Sequence, residues 1–121
     1  MKLQLQGQRL RLRIDEAELE RLLAGAAIVN TTELGAGVQF RQLVNLHADP
    51  QPSLRATPGE WHVGLPAAHV RDYVQRLPCR EALAFELVFD GGAVASLQFE
   101  VDVRDSLQVR GAPRRGGDVA R

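Results

Sequence analysis

A chain of 121 residues with 45% apolar and 25% charged side chains fits one domain, large enough to bury about two-thirds of its unfolded surface. Its 15 basic and 15 acidic residues cancel, so no global field draws it to nucleic acid or anionic lipid and any electrostatic function must be local. One cysteine, Cys79, excludes an intramolecular disulfide and favours a reducing, cytoplasmic setting, while no apolar run approaches the roughly 18 residues of a membrane span and no signal-peptide core is present.

The first stretch, MKLQLQGQRLRLRIDEAELERLLAG, carries the densest information. Leu3 and Leu5, then Leu10, Leu12 and Ile14, keep a period of two but change parity, which one straight strand cannot do. A two-residue loop at Gly7-Gln8 resolves this, with glycine at the first position of a type II′ turn. Gln6 then pairs with Arg9, Leu5 with Leu10, Gln4 with Arg11, Leu3 with Leu12 and Lys2 with Arg13. One face becomes all leucine. The other holds Lys2, Gln4, Gln6, Arg9, Arg11 and Arg13, and Lys2 opposite Arg13 is a like-charge pair that needs an acidic cover. Asp15 follows as a helix cap, with Glu18 completing a capping box. Ile14 and Leu19 occupy the staple positions, Leu19, Leu22 and Leu23 form the buried stripe, and Gly25 ends the helix.

Ala27 to Leu34 and Val38 to Leu46 read as strands joined by Gly35-Ala36-Gly37, a loop that pairs Leu34 with Val38, Thr32 with Phe40 and Ile28 with Val44. Residues 48–53 form a connection, since Pro50 and Pro52 argue against a ladder. Leu54 to Thr57 and Glu60 to Leu65 flank Pro58-Gly59, which suits a type II turn, with Leu54 against Val63 and Ala56 against Trp61. Pro66 fits the first turn of a helix, along which Ala67, Val70, Tyr73, Val74 and Leu77 recur at helical spacing until Pro78. A last hairpin turns at Asp90-Gly91-Gly92, keeping the apolar parity and pairing Phe85 with Leu97 and Leu83 with Phe99. Glu86, Glu100 and Asp102 share its other face. From Ser106 onward only Leu107 and Val109 are large and apolar before Gly111, Pro113, Gly116 and Gly117, so the end reads as a flexible basic tail.

The order strand, strand, helix, strand, strand occurs twice, and Ile14 to Leu23 aligns with Leu65 to Val74 at an offset of 51. The expected class is α+β and mainly antiparallel: about eight strands and two helices, in two ββαββ halves that could form a barrel or a strongly curved sheet. The domain is expected to span residues 1–105, and the tail 106–121.

Chemistry-bearing motifs are sparse. His47, His62, His69 and Cys79 show no zinc spacing, no serine sits in a nucleophile elbow, and no glycine pattern forms a phosphate loop. The residues assign no catalytic group, no metal ligand and no cofactor. The basic hairpin face has three readings: an exposed, solubilising sheet edge; an anion- or partner-binding site in which Lys2, Arg9, Arg11 and Arg13 converge on a small anion or an acidic protein; or a face neutralised internally by Glu86, Glu100 and Asp102.

The opening MKLQLQGQRLRLRIDEAELERLL and the later EWHVGLPAAHVRDYV resemble a small bacterial family of unknown function, over residues 1–103. Members usually close on a lysine-aspartate-phenylalanine segment and a cysteine, where this chain has FEVDVRDSL. The resemblance implies the fold boundaries and no activity. Eight strands bearing basic residues also resemble triphosphate-tunnel phosphohydrolases, although their alternating glutamate signature is missing at KLQLQ. The expected function is therefore a non-enzymatic binding domain using the basic hairpin face. The alternative is a phosphate-handling hydrolase, with the arginines as substrate clamps and Glu86, Glu100 and Asp102 as metal ligands.

Overall fold

A computed structural model describes residues 1–78 and 80–103. Cys79, the tail and the last two residues of the expected domain lie outside the described residues. The elements are β1 (Lys2–Gln6), β2 (Arg9–Asp15), α1 (Glu16–Leu23), β3 (Ile28–Glu33), β4 (Gln39–His47), β5 (Ser53–Thr57), β6 (Glu60–Pro66), α2 (Ala67–Gln75), β7 (Leu83–Val88) and β8 (Val94–Asp102). Among the described residues the fold is α+β, with eight strands and two helices as the periodicities imply.

All four hairpins adopt the registers that alternation dictates. Leu5 faces Leu10 and Lys2 faces Arg13 in the first, Thr32 faces Phe40 in the second, Ala56 faces Trp61 in the third and Phe85 faces Leu97 in the fourth. The Gly7 φ of 56° supplies the positive angle that a II′ turn needs. The third turn departs from expectation. Gly59 does not take a positive φ, so the Pro58-Gly59 turn is not type II. Its carbonyl accepts the N–H of Arg41 at 2.9 Å, which anchors the turn to β4.

Both helices end as local chemistry requires. Asp15 accepts from the Glu18 N–H at 2.7 Å and Glu18 accepts from the Asp15 N–H at 3.0 Å, completing the capping box. At the other end Gly25 takes φ 101°, with Gly25 N–H on Leu22 O at 3.1 Å and Ala26 N–H on Arg21 O at 3.0 Å, a Schellman closure. Pro66 is the cap of α2 instead of its first helical residue, and it makes no side-chain cap bond. That helix stops at Gln75, three residues before Pro78, consistent with the restriction proline places on its predecessor. Asp15→Ala is expected to lower stability by about 0.5–2 kcal/mol, measured by urea unfolding, and a smaller change would mean that packing alone holds α1.

The hairpins assemble into two open, four-stranded sheets, ordered β1-β2-β8-β7 and β3-β4-β6-β5, and neither closes into a barrel. The central pairs, β2 with β8 and β4 with β6, are parallel. The hairpin pairings on either side are antiparallel, so the sheets are mainly antiparallel as expected.

The halves exchange hairpins. The first sheet joins the opening hairpin of the first half to the closing hairpin of the second, and the second sheet does the converse. The repeat covers every element: β1, β2 and the start of α1 lie over β5, β6 and the start of α2 at an offset of 51, and β3 and β4 lie over β7 and β8 at an offset of 55. Even the turn contacts repeat, since Ser96 N–H donates to Gln8 O at 2.8 Å as Arg41 N–H does to Gly59 O at 2.9 Å. One apolar cluster unites both sheets and both helices, drawing Leu12, Leu22, Val44, Leu65, Tyr73 and Phe99 to near-complete burial. The polar faces therefore point outward from both sheets.

Candidate functional site

Alternation fixes the outer face of the first sheet. Residues of β2 at odd positions, Arg9, Arg11, Arg13 and Asp15, are exposed while Leu10, Leu12 and Ile14 are buried. Parallel pairing sets Ser96 beside Arg9, Gln98 beside Arg11 and Glu100 beside Arg13, and the antiparallel neighbour sets Lys2, Gln4 and Gln6 on the other side. The structure thus brings Lys2, Arg9, Arg11 and Arg13 onto one surface.

That surface has two unlike ends. At one, Glu100 Oε1 accepts from Arg11 Nη2 at 3.0 Å and from Arg13 Nε at 3.1 Å. The two guanidinium side chains remain about half exposed, at 50% and 47%, so each bond contributes only about 0–1 kcal/mol and chiefly orients the side chains. A shallow concavity here is lined by Lys2, Gln4, Arg11, Arg13 and Glu100. At the other end a second concavity is lined by Gln4, Leu5, Gln6, Arg9, Arg11 and Gln98, with no acid among them. Neither Lys2 nor Arg9 has a carboxylate within ion-pair distance among the described residues. Ser96, beside Arg9, also keeps a buried hydroxyl without a hydrogen-bond partner.

Of the three acids on the closing hairpin, Glu100 engages the arginines directly. Glu86 sits one strand beyond Ser96, about 10 Å across the sheet from Arg9. Asp102 pairs in register with Asp15 at the far end. Among the described residues no three histidine, cysteine or acidic side chains gather in a way that could hold a metal, so Glu86, Glu100 and Asp102 do not form the ligand set that the hydrolase alternative needs. The open sheets likewise provide no tunnel.

The outer face of the second sheet holds a cluster that sequence reasoning missed. Asn45, His47, Ser53, Leu54, Arg55, His62 and Gly64 line a third concavity. His62 Nε2 lies 2.6 Å from Asn45 Oδ1, and the acceptor-only amide oxygen makes the imidazole the donor. One signal was available: a glycine inside a strand marks a close approach by a neighbour.

No family model matches the chain, and no curated protein or solved structure is significantly similar to it. No described helix is long and apolar enough to cross a membrane.

Proposed function

We propose that this is a non-enzymatic binding domain whose first-sheet outer face takes an anionic group, carried by a small ligand or by an acidic partner. The observation that supports this reading is the acid-free concavity at Arg9 and Arg11, where two guanidinium groups stand among the side-chain amides of Gln4, Gln6 and Gln98. Guanidinium offers paired donors to carboxylate or phosphate, and the amides add neutral donors beside it. Glu100 takes part by accepting a hydrogen bond from Arg11, which orients that side chain. The lone cysteine supports a reducing, cytoplasmic setting.

Phosphate should stabilise the protein beyond sodium chloride of matched ionic strength, which screens charge without filling a site. At ten times the dissociation constant the gain is about 1.4 kcal/mol. Arg9→Gln is the cleanest variant, since among the described residues Arg9 has no carboxylate partner to disturb, whereas Arg11→Gln also alters the surroundings of Glu100. The excess stabilisation should be reduced in Arg9→Gln. Equal stabilisation of wild type and variant by both salts would leave the arginines as a solubilising edge.

A further inference from the structure

The internal repeat relates the two outer faces position by position. At the offsets of 51 and 55, Gln4, Arg11 and Arg13 correspond to Arg55, His62 and Gly64, while Glu100 and Asp102 correspond to Asn45 and His47. Glu100 and Asp102 are thus replaced, one by a neutral amide and one by an imidazole. The built-in counter-ion of the first face has no equivalent on the second. Where Arg13 projects from its own face, Gly64 carries no side chain, and Ser53 and His47 close over it within a depression lined also by Asn45, Arg55 and His62.

The walls stand close. A Cβ on Gly64 would lie 2.5 Å from Ser53 Oγ, 2.5 Å from His47 Cδ2 and 2.8 Å from His47 Nε2, so hydroxyl and imidazole already occupy the space over this glycine and stand side by side in the lining. The His47 Nδ1 is buried without a hydrogen-bond partner. The His47 Nε2, 2.8 Å from the same Cβ position, is the ring nitrogen on the Gly64 side and can donate an N–H. Arg55 supplies a formal charge and is exposed on the edge strand β5. No lining residue is acidic. Glu60, two residues from His62 on the same face, is already paired with Arg41 at 3.0 Å. These donors and this charge select an anion over a metal cation, which would have to displace a guanidinium from its surroundings.

We propose that this depression is a second anion site, separate from the basic hairpin face, that takes one phosphate-sized oxyanion against Arg55, Ser53 and His47. The chain has three histidines, and the third, His69, lies on α2 against the Phe85 ring at 5.9 Å, outside the depression. That makes imidazole NMR a local readout with an internal control. Titrating the full chain with inorganic phosphate, at fixed pH and ionic strength, should move the His47 and His62 signals along one saturable curve while His69 stays still. Arg9→Gln should leave the curve intact, and Arg55→Gln should weaken it about tenfold or more, the loss expected for a charge-assisted hydrogen bond. Absence of a saturable shift, equal movement of His69, an unchanged curve in Arg55→Gln, or a curve abolished by Arg9→Gln would overturn the assignment. Saturation of the same signals by zinc but not by phosphate would also overturn it, in favour of a cation site.

Discussion

Phe99→Ala is expected to remove about 3–5 kcal/mol of unfolding free energy, the range for truncating a buried aromatic side chain. Phe99 is fully buried, at 0% exposure, on the strand that joins the two halves of the first sheet. It sits opposite Leu12 on β2 and Leu83 on β7, and its ring meets that of Tyr73 edge-on at 6.0 Å. Three elements distant in sequence therefore share one side chain. The repeat supplies a control: Val44 holds the corresponding position in the second sheet, also at 0% exposure, but has only two methyl groups to lose. Val44→Ala should cost about 2 kcal/mol. Urea unfolding of the two variants tests the ranking, and equal losses would mean that the core around Phe99 relaxes to fill the cavity.

The same pair of positions shows what local patterning can and cannot convey. Parity along the leucines of the first hairpin sets its turn and register, because a one-residue slip would reverse both faces. It cannot report that β2 finds β8, since the Arg13 to Glu100 contact spans 87 residues of chain and no local period encodes a partner that distant. The parallel centre of each sheet and the exchange of hairpins were invisible for this reason. The basic row was legible as a row, but its division into a Glu100-bound end and an acid-free end depends on that long-range pairing. The cluster around Gly64 was hidden twice over: Asn45 and His47 come from one half, Ser53, Arg55 and His62 from the other, and they meet only through the parallel pairing of β4 with β6. The third turn failed for a local reason. Gly59 permits a positive φ without requiring one, and its carbonyl contact with Arg41 accompanies the other choice.

Gly64→Ala is expected to destabilise the domain by about 1–3 kcal/mol, the usual cost of forcing a methyl group into filled space. Gly64 is buried at the middle of the second sheet and its φ is one that alanine can adopt, so backbone strain does not enter. The cost is steric. The new Cβ would stand 2.5 Å from both Ser53 Oγ and His47 Cδ2, neither of them backbone, so both side chains must rotate away. Truncating them should return most of the loss: in Gly64→Ala with His47→Ala and Ser53→Ala the glycine substitution should become nearly neutral, or gain from the lower chain entropy of alanine. The coupling between Gly64→Ala and the two truncations should thus be favourable and exceed about 1 kcal/mol, within the range for residues in direct contact. Additive losses would show instead that β6 shifts as a unit against β4, and that the imidazole and hydroxyl are not what keeps residue 64 a glycine.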